Sequence, residues 1–484
     1  MNDIPVAKLL SHWVKAGYSR DNMLNWTLSM KNRLLPSTLA IVAAIAVPGT
    51  VLVAQNMQQQ EYEAQQIEDL DAFLAVYRKV KSSYVDKVDD KQLMEGAIQG
   101  MLSSLDPHSG FLDRSDFSSL RTQIDGEYGG LGLSVTLEDE AVKVIAPTKD
   151  TPADKAGIKS GDFITHLDGK LIVGGTLDEA VEAMRGVPGT TIKLTIFRPG
   201  RDGPFDVTLT RAIIDLKPVQ WEVKDRIGII SVTGFSEQTG ADVVAAVAGI
   251  KKSVGGNPLG YIIDLRSNPG GILDEAVVVS DAFLTKGEIV SERGRDPRNV
   301  DRWWAERAVP GDVTGGAPII VLVDAGSASA SEIVAGALQD HHRGLVMGER
   351  SFGKGSVQNV LPLTRDTGLR LTVARYHLPS GRSVQEGGIK PDIRVPQLTD
   401  PDYKSRVSIR ESDLRRHLVN ELKDNNKDLE QDITDDPRFA MTAEQLKAKG
   451  IEDFQLYYAM ETLQRLGPRT MKLAAKPMKG KAKN

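Results

Sequence analysis

A serine hydroxyl and a lysine amine, set in neighbouring glycine-rich turns, are the side chains of this sequence best suited to hydrolytic chemistry. Val323-Asp-Ala-Gly-Ser-Ala-Ser-Ala-Ser-Glu332 carries Ser327, Ser329 and Ser331 across the point where an apolar run gives way to a helical one. Lys354 follows in Gly348-Glu-Arg-Ser-Phe-Gly-Lys-Gly355. A hydroxyl is a weak nucleophile and needs a base beside it. A free lysine has a pKa of about 10.4, whereas a base working at neutral pH needs one of about 7–8. Burial supplies that depression and an exposed turn does not. The pairing therefore points to Ser–Lys hydrolysis only if Lys354 is sheltered beside the serine.

Each of these motifs also has a plain reading. Ser329-Ala-Ser-Glu332 is a capping box, which needs no catalysis, and spacing alone does not choose among the three serines. A hydroxyl at a helix start does lie near free backbone N–H groups that stabilise an oxyanion. Lys354 could sit in a solvated turn. A phosphate-binding P-loop is excluded, because Gly355 stands where Ser or Thr is required and Val357-Gln-Asn-Val-Leu-Pro-Leu reads as a strand. Asp264-Leu-Arg-Ser-Asn-Pro-Gly-Gly271 follows an apolar strand, and its paired glycines either expose N–H groups to a ligand or make a tight connection. Gly129-Gly-Leu-Gly-Leu133 precedes another strand, where glycines let the backbone capture a peptide carboxylate while the strand pairs with the peptide; a glycine-rich hairpin is the alternative. The seven histidines offer no zinc spacing, Gly-x-Ser-x-Gly does not occur, and Ser329 does not open a Ser-x-x-Lys motif because Glu332 stands three residues on. No metal or cofactor site is expected.

The elements that must position these groups emerge from the rest of the chain. Its 484 residues allow two or three domains, its net charge of −5 gives no reason to expect nucleic acid, and the absence of cysteine rules out disulfides and thiolate metal sites. Residues 1–33 read as a leader. Leu34–Ala54 is a 21-residue apolar run after Lys31 and Arg33, long enough for a membrane anchor and equally a cleaved signal. Its basic flank predicts a cytoplasmic N-terminus and an exported, periplasmic remainder, soluble or held at the inner membrane. Residues 55–66 read as a linker. Residues 67–125 are helical, with Phe73, Val76, Tyr77 and Val80 recurring at helical spacing before Leu93, Ala97 and Met101. Residues 126–212 form a compact module of short strands with two helical pieces, the second opened by the capping box Thr176-Leu-Asp-Glu179. In residues 213–396, apolar runs at Ile227–Val232, Tyr261–Leu265, Ile319–Val323 and Leu345–Gly348 alternate with helices at Glu275–Leu284 and Ala330–Gln339, an α/β pattern. Residues 397–484 are an extension: Asn420–Asp436 reads as disordered, Glu444–Leu466 as a helix, and the last residues as a solvated basic tail.

In this order, Ser104-Leu-Asp-Pro-His-Ser109, Gly132-Leu-Ser-Val, Ala153-Asp-Lys-Ala-Gly-Ile-Lys-Ser-Gly-Asp162, Arg185-Gly-Val-Pro-Gly-Thr190, the Asp264–Gly271 turn, Gly326–Glu332, Ser351–Gln358 and Pro379-Ser-Gly-Arg-Ser-Val-Gln385 closely resemble the C-terminal processing peptidases, or tail-specific proteases. The resemblance runs from about Phe73 to Pro396. It implies an α/β (α+β multidomain) chain: a Clp-protease/crotonase-like protease core with an inserted PDZ domain and helical N- and C-terminal segments. It implies a serine-type endopeptidase with Ser329 as nucleophile, Lys354 as general base and Gln358 orienting it. The backbone N–H groups of Gly270, Gly271 and Ala330 would form the oxyanion hole. Asp324 stands where many relatives carry Asn, and Asp340 would be structural. Protein or peptide substrates with apolar C-termini would lie along Leu131, Gly132, Leu133 and Val135, with Ala180 and Met184 lining the groove. Arg185 would couple tail binding to activation. A homodimer and an adaptor protein are compatible with the family; a non-catalytic PDZ scaffold and an acyl hydrolase using the same dyad are the competing functions.

Overall fold

Continuous runs of Val and Ile favour strands buried on both faces, and the protease core is built from them. The computed structural model describes residues 65–474 apart from 66, 139, 297, 306–310, 404, 406–408 and 422–435. The leader, the apolar run Leu34–Ala54 and the lysines beyond residue 474 lie outside the described residues. The described residues fall into two compact units, one up to Leu93 and one from Met94 onward. In the first, the helix over 67–83 leaves Ile67, Leu70, Phe73 and Val76 exposed, and Tyr77 and Lys81 both bond Asp90. The expected helical stretch 67–125 is thus three helices, 67–83, Asp90–Ser103 and Arg114–Asp125, with the short strand Gly110–Leu112 before the last.

The second unit centres on a six-stranded sheet in the order Val219–Lys224, Ile227–Val232, Gly260–Asp264, Ile319–Val323, Leu345–Gly348 and Ile393–Arg394. The first pair is antiparallel and all later pairs are parallel. Strand alternation sorts the side chains between two cores. Ile230, Val232, Ile263, Val321, Val323 and Val346 pack on helices Thr239–Val254, Leu273–Asp281 and Ala330–Asp340. Ile229, Ile262, Ile320, Leu322 and Met347 pack on Leu446, Phe454 and Leu463 of helices Ala443–Ala448 and Phe454–Ala474. The C-terminal extension therefore forms the third layer of the core. Its expected single helix is broken at Lys449-Gly450, where Gly450 has φ 71°. A second sheet runs Gly110–Leu112, Gly368–His377, Glu288–Gly294 and Val300–Trp304, with Ser356–Pro362 also paired to Gly368–His377.

Residues 126–212 hold a separate small core. Val144, Ile164, Leu194 and Ile196 are fully buried inside strands Ala141–Pro147, Phe163–Leu167 and Thr191–Phe197, beneath helix Leu177–Met184. Thr176 and Glu179 form the expected reciprocal cap. Among the described residues no helix is long and apolar enough to cross a membrane. The expectation of disorder from Asn420 onward fails at its first residue, because Asn420 is buried and hydrogen-bonded; residues 422–435 are not described.

Candidate active site

Loops leaving the C-terminal ends of adjacent parallel strands converge on one place. After Val323 the chain turns through Asp324–Ala328 into helix Ala330–Asp340, and Ser329 occupies the corner at φ 54°, ψ −113°. A non-glycine residue held at positive φ costs about 1–3 kcal/mol and persists only where its surroundings enforce it. The other two serines are structural. Ser327 Oγ donates to Leu265 O at 2.8 Å and Ser331 Oγ to Asn268 O at 3.0 Å, and both are fully buried. Ser329 Oγ is half-buried and has no hydrogen-bond partner among the described residues. Only the Glu332 half of the expected capping box forms, with Ser329 N–H donating to the Glu332 carboxylate at 2.8 Å. Asp324 accepts from Ser267 N and Gly326 N, so its carboxylate shapes the turn. Asp340, at the far end of the helix, binds Ser380 N and Arg382.

The paired glycines pass directly beneath this corner. A Cβ on Gly270 would meet Ser329 Cβ and Ala328 O at 2.8 Å, so only glycine fits at its φ of 100°. A Cβ on Gly271 would meet Phe235 O at 2.1 Å. Of the three expected oxyanion donors, Gly270 is committed elsewhere: its N–H donates to Asn268 Oδ1 at 2.9 Å. The N–H groups of Gly271 and Ala330 have no acceptor among the described residues. Arg266, at the start of the same turn, bonds Asp264 and Asp453 and so ties the turn to the C-terminal layer.

Lys354 is partly buried, and its backbone is fixed to that of Ser329 from two sides. The fully buried Glu332 carboxylate accepts from Lys354 N at 3.0 Å and Gly353 N at 2.7 Å, as well as from Ser329 N and Ser351 Oγ. The buried Tyr376 hydroxyl donates to Ser329 O at 3.2 Å and to Lys354 O. Burial pushes Glu332 up to about 7, against the pull of its four donors. Burial also draws Lys354 below the ordinary lysine value, assisted by Arg370 and opposed by Glu411, Glu332 and Asp106. Lys354 Nζ makes no hydrogen bond to Ser329 Oγ or to Gln358 in this arrangement. Gln358 sits at a β-bulge after Val357 and gives its amide hydrogens to Ser356 Oγ and Thr372 Oγ1. Thr372 continues to Asp106, which also accepts from Ser109 and from His108 N. Sequence reasoning had no signal for Tyr376 and read Glu332 only as a cap. The Ser104–Ser109 and Pro379–Gln385 landmarks were visible, but their place around Lys354 was not.

In the small module, Leu133–Glu138 is a sheet edge paired only with Ala141–Pro147. Gly132, at φ 76°, turns the chain into that strand against Thr151. Leu133 and Val135 are half-buried and face the core's rim, whereas Leu131, Ala180 and Met184 are 2–6 % exposed and form the floor beneath. Leu131, Ala180 and Met184 are thus residues of the small core, with Leu133 and Val135 packed against it. Arg185 stacks over the Tyr128 ring at 5.1 Å and reaches Thr122 Oγ1 at 3.4 Å. From there Ile124 O accepts Glu237 N, and Phe235 bonds Gly270 O and Ile272 N on either side of Gly271.

The sequence matches the profile of peptidase family S41 over residues 226–395, a PDZ domain over 129–209, and the N-terminal domain of activating protease CtpB over 43–116. A carboxy-terminal-processing protease of Bartonella bacilliformis is 46% identical over 387 residues, covering 80% of this chain and 88% of that protein. The chain belongs to the carboxy-terminal processing proteases of peptidase family S41. Carboxy-terminal processing protease CtpA of Bacillus subtilis is 35% identical over 75% of the chain and 76% of its own length. A solved photosystem II D1 C-terminal processing protease matches 67% of this chain and 92% of its own at 29% identity, with a TM-score of 0.40. The family is one of serine proteases, and this member carries a PDZ domain; the mixed α/β fold with an S41 protease domain is as the sequence resemblance implied.

Proposed function

We propose that this S41 protease cuts proteins near their C-terminal tails with Ser329 as nucleophile and Lys354 as general base. The observation that carries the reading is the double clamp: Glu332 and Tyr376 each bind the backbones of both Ser329 and Lys354. No structural purpose requires a strained serine with a free hydroxyl to be held against a sheltered lysine. In the reaction, neutral Lys354 takes the Ser329 proton as Oγ attacks the scissile carbonyl. The Gly271 and Ala330 N–H groups, at the positive end of helix Ala330–Asp340, receive the oxyanion. The lysine then protonates the leaving amine, and water repeats the sequence to release the acyl group. Rotation of the lysine side chain closes the dyad, in keeping with the looseness of catalytic hydrogen bonds before substrate binds. Gln358 joins the amine once its amide turns from Thr372.

An apolar C-terminal tail adds to the Leu133–Glu138 edge, with Gly132 at the carboxylate and Leu133 and Val135 against the side chains. Arg185 couples that binding to the oxyanion turn through Thr122, Ile124, Glu237 and Phe235. The apolar run Leu34–Ala54, with Lys31 and Arg33 before it, supports an exported protein, soluble or anchored at the inner membrane. The test is digestion of an unfolded protein ending in an apolar tail. Wild type cuts it, and Ser329→Ala and Lys354→Ala do not; cutting by either variant at the wild-type rate removes the dyad. Ester hydrolysis without proteolysis would instead favour an acyl hydrolase.

A further inference from the structure

Beyond the protease domain, the segment 409–421 returns across the loop that carries Lys354. Glu411 N–H donates to Phe352 O at 3.2 Å, two residues before the lysine. The Glu411 carboxylate is fully buried and lies 2.8 and 3.0 Å from His108 Nε2 and 3.0 Å from Gln385 Nε2. Gln385 in turn accepts the Gly355 N–H at 2.9 Å and donates to Leu418 O at 2.8 Å. Further along, Asn420 donates to Gln385 O and to the Glu386 carboxylate, which also meets His417 at 2.8 Å. Glu386 N–H closes the loop onto Gly353 O. The residues on both sides of Lys354 are therefore held by this strap, which lies outside the matched span 226–395.

We propose that Glu411 is a positioning residue for Lys354: it fastens the strap to the lysine loop and sets the charge that the amine meets. The inference rests on the Ser–Lys reading. A carboxylate with no purpose beyond packing is poorly placed in a buried position, because burying a charge is costly unless it is paired. The carboxylate is hydrogen-bonded to His108 and Gln385, and its charge also acts on Lys354. The groups facing Lys354 are Arg370 from strand Gly368–His377, Glu332 from the nucleophile helix, Asp106 from the 104–109 turn and Glu411 from the strap. Glu411 itself faces His108, Gln385, Lys354, Tyr376 and His417. Of the groups that favour the protonated amine, Glu411 acts most strongly. It counters burial and Arg370, and so keeps the amine basic enough to accept the serine proton.

The test is the pH dependence of kcat and kcat/KM for full-length protein on an internally quenched peptide with an apolar C-terminus. Glu411→Gln keeps the shape and one accepting oxygen but removes the charge. The rate rises with pH as the lysine loses its proton, and removing a neighbouring negative charge makes that loss easier. The acidic limb of the Gln variant is therefore expected at lower pH than wild type, and Glu411→Asp, which retains the charge, is expected to restore it. A Gln variant that is folded by its melting curve and has the wild-type limb overturns the proposal. If the Gln variant does not fold, the Asp variant decides through kcat: a severalfold fall at unchanged KM supports the role, and wild-type kcat overturns it. Lys354→Ala in the same assay separates the two readings. Wild-type activity there removes the Ser–Lys dyad itself, whereas an inactive Lys354→Ala beside an unmoved Glu411→Gln limb removes only the role of Glu411.

Discussion

Tyr376→Phe isolates one half of the clamp that joins nucleophile and base. Tyr376 is 1% exposed, so phenylalanine fills the same space and only the hydroxyl is lost. Ser329 O keeps two donors, Glu332 N and Ile333 N, and is satisfied without the tyrosine. Lys354 O has no other donor among the described residues, so the loss falls on the lysine loop. Leaving one buried carbonyl unpaired costs about 1–3 kcal/mol. If that energy appears as looser placement of the base, kcat falls about 10- to 100-fold, since 1.36 kcal/mol is a factor of ten. KM should stay near wild type, because the hydroxyl bonds the backbones of Ser329 and Lys354 and none of the proposed tail-binding residues. The assay is steady-state cleavage of an apolar-tailed peptide, with urea unfolding as the control for global stability. A kcat within twofold of wild type would show that the clamp does not position the base. A loss as large as that of Ser329→Ala would show that the hydroxyl acts on the reacting atoms directly.

The remaining predictions probe different groups. Lys354→Met should abolish cleavage yet stabilise the fold by about 1 kcal/mol or more, as apolar replacement of a buried charge often does. The depressed lysine lowers stability fully below its folded value, and this deficit fades as pH rises to the ordinary lysine range; the gain should therefore be largest in acid, read by thermal melts across pH. Glu332 is raised from 4.5 to about 7, so its contribution to stability is fully present below pH 4.5 and lost as pH rises through about 7. Glu332→Gln should flatten that part of the stability profile. Gly270→Ala puts a methyl 2.8 Å from Ser329 Cβ and should cut kcat far more than it lowers the melting temperature. Arg185→Ala should leave cleavage of tail-less unfolded substrate intact and lose the stimulation by apolar tails; unchanged tail dependence rejects the coupling.

Strand runs such as Ile227–Val232 and Ile319–Val323 were legible to the residue because short runs rich in Ile and Val have few other buried solutions. Helix Thr239–Val254 was missed: its Thr-Gly start and internal Gly249 weaken every local signal, and packing on Val278 and Trp221 supplies what propensity lacks. Of the second sheet only the strand at Ser356–Pro362 was read, since Glu288–Gly294 and Gly368–His377 carry arginines that read as solvated. At the site, the serine, lysine and glycine turns could be found from spacing and resemblance. The partners that hold them could not. Tyr376 lies 22 residues from Lys354 on strand Gly368–His377, and Glu411 lies beyond the matched domain; only the fold brings them together. The resemblance also implied Gly270 as an oxyanion donor, and in this arrangement its N–H donates to Asn268 Oδ1 instead.

The dyad is tested most directly by covalent labelling with a fluorophosphonate followed by peptide mapping. A single adduct on Ser329 is expected in wild type, with labelling slowed at least about 100-fold in Lys354→Ala, the low end of what a positioned base contributes. An adduct on Ser327, Ser331 or another residue, or equal labelling rates in the two proteins, would contradict the assignment.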